Sequence, residues 1–169
     1  MNQVPARGWR VRLLRGVAAV MLAGLTACAG YSGKTLPPGA SQADAVALMG
    51  PPTDRYPLPN DERLEYAKGP QGIETFMLDF DATRGLVRNE QVLDERHFAM
   101  ILPGMTLDQV RRTIGRPSHV QGMAFQRTLY SWRWNSFFCT WFQATVDNAG
   151  LVVDASQGPD PRCEKTRFP

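Results

Sequence analysis

The residues best equipped for covalent or acid–base chemistry are few: three cysteines, Cys28, Cys139 and Cys163, and two histidines, His97 and His119, in a chain of 169 residues. A nucleophilic thiol needs a base beside it, and a zinc site needs several nitrogen or sulfur donors at short spacings. Neither histidine lies in a motif, and no second Cys/His cluster offers zinc spacing. Asp79 and Asp81 are carboxylates at i and i+2 facing one side of a strand, as an acid–base pair would. Asp81 begins a turn, however, and Asp-rich turns serve most often simply as turns. No phosphate-binding loop, metal-ligand set or nucleophile elbow occurs. These residues point away from catalysis, and neither a metal nor a cofactor is expected.

The overall charge of +3 and pI near 9.0 suggest a nucleic-acid partner until the basic residues are located. Arg7, Arg10, Arg12 and Arg15 precede an apolar run, and the first acidic residue is Asp44. Without residues 1–27 the chain keeps 15 Lys+Arg (19 minus 4) against all 16 Asp+Glu, so no basic surface is left for nucleic acid. The run Val17–Leu25 is nine residues long, too short for a hydrocarbon core that takes about 20 helical residues, and reads as a secretory signal. It ends in Leu25-Thr26-Ala27-Cys28, which resembles the lipobox of bacterial lipoproteins. That resemblance implies cleavage after residue 27, acylation of Cys28 and a firm multi-chain lipid anchor. Ala29 stands where an Asp would retain a lipoprotein in the inner membrane, so the resemblance implies the periplasmic face of the outer membrane. Cys139 and Cys163 then remain as an even pair in an oxidising compartment. A disulfide between them would close about 25 residues and contribute on the order of 3 kcal/mol. It would also pin the tail that starts at Gly158.

Residues 28–35 are small and polar, as a tether would be, and beyond them the sequence repeats itself. A shift of 65 superimposes Leu36–Pro52 on Ile101–Pro117. Each copy spells a short helix. Ser41 and Thr106 are N-cap residues, with Asp44 and Gln109 in the capping-box position. Ala45, Leu48 and Met49, and likewise Leu107, Val110 and Ile114, form one apolar stripe per helix. Gly50 and Gly115 end the helices, and Pro52 and Pro117 prevent their continuation. After a one-residue slip the copies continue as strands. Leu64-Glu65-Tyr66 precedes a turn over 68–72, and Leu129–Trp134 precedes Asn135-Ser136. Phe76–Asp81 and Phe142–Asp147 then alternate with period two and turn through Gly85 and Gly150. The pattern predicts an α+β fold: a short helix followed by a three-stranded antiparallel β-meander, used twice, over 36–97 and 98–157, with a C-terminal tail at 158–169. Alternation places Phe76, Leu78 and Phe80, with Phe142, Ala144 and Val146, on core faces, and Cys139, Trp141, Gln143 and Thr145 on the opposite face.

Gly104-Met105-Thr106, Val110, Gly115-x-Pro117, the strand Trp132-Arg133-Trp134 and the strand-turn Thr145–Val152 together resemble the SmpA/OmlA (BamE-like) family of outer-membrane lipoproteins. The likeness covers about 55 residues of the second repeat. The first repeat departs from it, with Ala40 for the Met, Ser41 for the Thr and Ala45 for the Val, and so does the duplication itself. The resemblance implies a non-catalytic scaffold that stabilises the β-barrel assembly machinery and touches anionic lipid. Two units in tandem also resemble the β-lactamase inhibitory protein, which implies the other reading: an envelope-binding or inhibitor-like module acting on a periplasmic enzyme or cell-wall component.

Either function needs a surface. Trp132, Trp134, Phe137, Phe138, Trp141 and Phe142 crowd eleven positions, more than alternation can bury on one face. Exposed aromatics beside an arginine make protein-binding hot spots, which nominates Arg133, Trp134 and Trp141; the same rings could instead fill the interface between the repeats. Arg111, Arg112 and Arg116 form a basic helix face, open either to phospholipid headgroups or an acidic partner, or simply to water.

Overall fold

In a computed structural model, residues 35–69 and 71–161 are described. Their elements run α1 (Gln42–Met49), β1 (Asp54–Pro57), β2 (Glu62–Ala67), β3 (Thr75–Asp81), β4 (Gly85–Gln91), α2 (Glu95–Phe98), α3 (Leu107–Ile114), β5 (His119–Met123), β6 (Arg127–Arg133), β7 (Thr140–Val146) and β8 (Val152–Pro159). The strands form two antiparallel four-stranded sheets, β1-β2-β3-β4 and β5-β6-β7-β8. The α+β class holds, but α1 and α3, the capped helix of each repeat, are each followed by four strands, not three, and the short α2 precedes α3. The additional strands are the leading edges β1 and β5. β1 ends in a proline, and β5 is exposed at all five positions, so neither carries the buried alternation that marks a strand in sequence. Among the described residues no helix is long and apolar enough to cross a membrane. The signal segment 1–27, Cys28 and the tether, apart from Thr35, lie outside the described residues, as does Cys163.

The duplication extends to individual hydrogen bonds. Ser41 caps α1 by accepting from the Asp44 N–H at 3.1 Å while the Asp44 carboxylate accepts from the Ser41 N–H at 2.8 Å. Thr106 and Gln109 repeat the box on α3 at 3.2 and 2.8 Å. Gly39 N–H donates to Leu86 O at 2.9 Å and Leu86 N–H to Ala40 O at 2.8 Å; Gly104, Val152 and Met105 make the same pair of bonds at 2.8 Å each. The helix side of this pair follows the shift of 65 and the strand side a shift of 66, which is the slip seen in the sequence. Irregularities between Asp79/Phe80 and Thr145/Val146 fall 66 apart too.

The second repeat builds its core from Val110 and Ile114 of α3 against Trp132, Phe142, Ala144, Val146 and Val152, joined by Leu93, Phe98 and Ile101. The boundary expected between residues 97 and 98 thus runs through α2, and Leu93 already belongs to the second core. Leu48 and Leu107 are only half-buried in their helices; Ala45 and Met49 are buried in α1. In the first sheet Leu64, Tyr66, Phe76, Leu78, Phe80 and Leu86 share one face by register and are all buried. β3 is nevertheless buried at all seven positions. Its other face, with Tyr56, Arg63, Glu65, Met77 and Asp79, is covered by the second repeat. One-sided alternation predicts the first face only, because what covers the second is far away in the sequence. The C-terminal tail expected from 158 also begins later, since Gly158 and Pro159 complete β8, paired with Trp141 and Thr140.

Candidate functional site

Two places in the fold gather the nominated residues. The first is the junction between the repeats, where α3 meets the second face of the first sheet. Arg111 Nη2 donates to Asp54 Oδ2 at 2.7 Å. Arg112 is held by Asp108 at 2.7 Å, four residues back on α3, and its guanidinium lies 5.3 Å over the Tyr56 ring. Its carbonyl accepts from Arg63 Nη1 at 2.8 Å, while Arg63 also grips Asp79 in two bonds of 2.5 and 2.8 Å. Arg116 sends its guanidinium to Thr53 O at 3.4 Å and its N–H to Glu65 Oε1 at 2.9 Å. The basic face read as open to lipid, acidic partner or water is therefore turned in large part onto the first repeat. The acceptors lie some fifty to sixty positions earlier, so no local pattern could show them.

Glu65 is the centre of this junction. It is fully buried, and its carboxylate accepts from the Tyr56 hydroxyl at 2.7 Å as well as from Arg116. Burial raises its pKa above the ordinary carboxylate value, opposed by those two hydrogen bonds. Tyr56 is raised in turn, mainly by its own burial and then by its bond to Glu65. Gly115 makes the close approach possible. It has φ 79° and ψ −168°, and an added Cβ would stand 2.7 Å from Thr75 Cγ2 and 3.2 Å from the Glu65 carboxyl. A cleft of about 220 Å³ opens beside the junction, lined by Thr53, Lys68, Glu74, Arg116 and Ser118 among others, with Lys68 paired to Glu74 at 2.6 Å.

The paired carboxylates resolve into structural roles. Asp79 serves Arg63, and Asp81 caps its turn by accepting from Thr83 and Arg84. Those bonds, the Thr83 hydroxyl first, lower the Asp81 pKa well below the usual range. His97 is buried with Nδ1 2.7 Å from Asp94 Oδ1 at the start of α2. Among the described residues no group of three His, Cys, Asp or Glu could hold a metal ion.

The second place is the β6–β7 connection. Arg133 is buried, with Nε 3.0 Å from Asp160 Oδ2 and Nη1 3.2 Å from Gln71 in the β2–β3 turn of the first repeat. Its guanidinium lies 4.6 Å over the Trp141 ring, itself only 6% exposed and edge-on to His119 at 5.9 Å. Trp134 is half-buried and meets Phe98 edge-on at 5.2 Å, while Phe98 stacks on Phe142 at 4.3 Å. Arg133 and Trp141 thus sit inside, where they tie the repeats and the start of the tail together. The exposed rings are Phe137 at 96% and Phe138 at 81%, packed edge to face at 5.2 Å. They follow Asn135-Ser136 in the loop, where strand alternation no longer dictates which side chains turn inward; that break was the available signal.

This loop is tied at its base. Ser136 Oγ and Thr140 Oγ1 are 2.7 Å apart, Cys139 N–H donates to Ser136 O at 3.3 Å, and Asp160 N–H donates to Cys139 O at 2.9 Å. Cys139 takes φ 54° and is disulfide-bonded, whereas Cys28 and Cys163 both lie outside the described residues. The backbone on either side of the two exposed rings is therefore tied down at Ser136, Cys139 and Thr140. The third strongly exposed ring, Phe125 at 92%, is also in the second repeat, so among the described residues no exposed aromatic belongs to the first.

No family model matches the chain, and no curated protein and no solved structure matches it.

Proposed function

We propose that this chain is a non-catalytic lipoprotein, acylated at Cys28, held at the periplasmic face of the outer membrane and acting as an accessory binding module of the β-barrel assembly machinery, with the BamE-like unit present twice. The observation that carries a binding role is the Phe137–Phe138 pair, almost fully exposed on a loop fastened on both sides. Two adjacent rings on a pre-ordered tip supply the buried aromatic anchor around which protein interfaces concentrate their energy. The SmpA/OmlA resemblance supports the choice of partner, and the lipobox at Leu25–Cys28 supports the compartment. In this reading Cys163 is the partner of Cys139, and that bond stiffens the loop. Arg133, Trp134 and Trp141 act behind the surface as the platform of the tip, and Arg111, Arg112 and Arg116 hold the repeats together.

Crosslinked affinity purification from outer membranes tests it, comparing wild type with Phe137→Ser/Phe138→Ser. The double variant is expected to keep its circular dichroism and unfolding midpoint, since both rings lie in water, and to lose the barrel-assembly proteins that wild type recovers. Recovery of a different envelope protein by both would favour the inhibitor-like module and remove the assembly reading.

A further inference from the structure

Each sheet has two outer strands; β4 and β8 are bonded along part of their outer side through Leu86 and Val152, and three of the four carry devices that discourage a further strand. β1 contains Asp54, bound to Arg111, and ends at Pro57. β4 contains Arg88 and Glu90, and β8 contains Asp154 and ends in Gly158-Pro159. β5 reads His119-Val120-Gln121-Gly122-Met123, without a Lys, Arg, Asp, Glu or Pro, and is exposed along its whole length. Half its backbone N–H and C=O groups point away from β6, as in any edge strand. Val120 and Met123 are 51% and 47% exposed, and a Cβ added to Gly122 would meet nothing within 4 Å. A glycine inside a strand often marks a place where another backbone comes close.

We infer that β5 is a homodimerisation edge, pairing antiparallel with β5 of a second copy about a two-fold axis through Gln121. The sequence is self-complementary in that register. Val120 falls opposite Gly122 of the second copy, both on the face of the sheet that carries Tyr130 and Thr128, so the valine methyls cover backbone where a second side chain would crowd them. His119 falls opposite Met123, and no like charges meet across the axis, which would otherwise oppose pairing. The two four-stranded sheets would become one of eight strands with its weakest edges closed. Val120 and Gly122 supply both halves of this complementarity within one strand, which favours a second copy as the occupant.

Gln121 would face itself across the axis, and directly opposed strand residues have Cα atoms about 4.5–5.5 Å apart, within disulfide range. The test is therefore oxidation of the full chain carrying Gln121→Cys, in cells, read on a non-reducing gel against Leu102→Cys, a position 59% exposed and outside both sheets. The expected result is a species of twice the chain mass for Gln121→Cys, absent from Leu102→Cys and lost when Val120→Lys is added. Light scattering of the purified, otherwise unaltered chain in detergent should give twice the chain mass and fall twofold with Val120→Lys, at unchanged circular dichroism. A Gln121→Cys chain that stays monomeric, that crosslinks to a different protein, or that crosslinks no better than Leu102→Cys overturns the inference.

Discussion

Gly50 and Gly115 provide a paired experiment inside one molecule, because they share a backbone conformation and differ in what surrounds it. Their dihedrals are φ 81°, ψ −170° and φ 79°, ψ −168°, a region open in practice to glycine alone. Alanine at either site should cost about 1–3 kcal/mol in backbone strain. At Gly50 that is the whole cost, since nothing lies within 4 Å of the new Cβ. At Gly115 the methyl would sit 2.7 Å from Thr75 Cγ2, about 1 Å inside a comfortable carbon–carbon contact. Thr75 is 2% exposed and β-branched, so it cannot turn aside freely, and overpacking of this kind costs about 1–3 kcal/mol more. Gly115→Ala should therefore lose about 2–6 kcal/mol and Gly50→Ala about 1–3. At this chain size each kcal/mol corresponds to roughly 3–5 °C in melting temperature. Urea unfolding followed by far-ultraviolet circular dichroism measures the difference directly, as a shift in midpoint at constant slope. Equal losses for the two alanines would refute the close packing of α3's end on the first sheet, and with it the account of how the repeats are joined.

Two further outcomes follow from buried charges. The Glu65 pKa is raised by burial, so the folded state holds its proton more tightly than the unfolded chain; the resulting stability is complete below the unfolded value, about 4.3, and lost as pH climbs through the folded one. Glu65→Gln should flatten that part of the curve, and parallel profiles of urea midpoint against pH for the two proteins would rule the effect out. Arg133 and Asp160 pair at 3.0 Å with side chains 7% and 5% exposed, so Asp160→Ala strands a buried guanidinium and should cost about 3–5 kcal/mol. Adding Arg133→Met should recover part of that loss, and full additivity in the double variant would show that the pair does not interact.

What could be read from the sequence is what is encoded locally. The helix boundaries follow from Ser41, Asp44 and Gly50 and from Thr106, Gln109 and Gly115, because a cap is a bond between residues three apart. The duplication shows because both copies need those bonds. The pairing of Arg111 with Asp54, and of Arg116 with Glu65, spans more than fifty residues and leaves no periodic trace, so locally the sequence shows only a basic helix face. β5 leaves no trace for the opposite reason: a strand exposed on both sides has no apolar alternation. Among the crowded aromatics, alternation correctly assigns Phe142 to the core, yet it cannot say that Trp141, on the other face, is covered too. Only the turn residues Asn135 and Ser136 mark where that face ends and the exposed pair begins.

The layering of α3 between the sheets gives the stack a direction. Its Val110 and Ile114 face the second core while Arg111 and Arg112 face back onto Asp54, Tyr56 and the Arg63–Asp79 pair. In the second sheet the positions matching Arg63, Glu65 and Asp79 are Leu129, Ser131 and Thr145, which carry no charge. A helix like α3 would find there the exposed Asp154, opposite Thr145, but neither a pair like Arg63–Asp79 nor a buried carboxylate like Glu65 for its terminal N–H. The acidic set occurs on one sheet only, so a mode of stacking that could in principle continue as an open-ended array is specified for a single step.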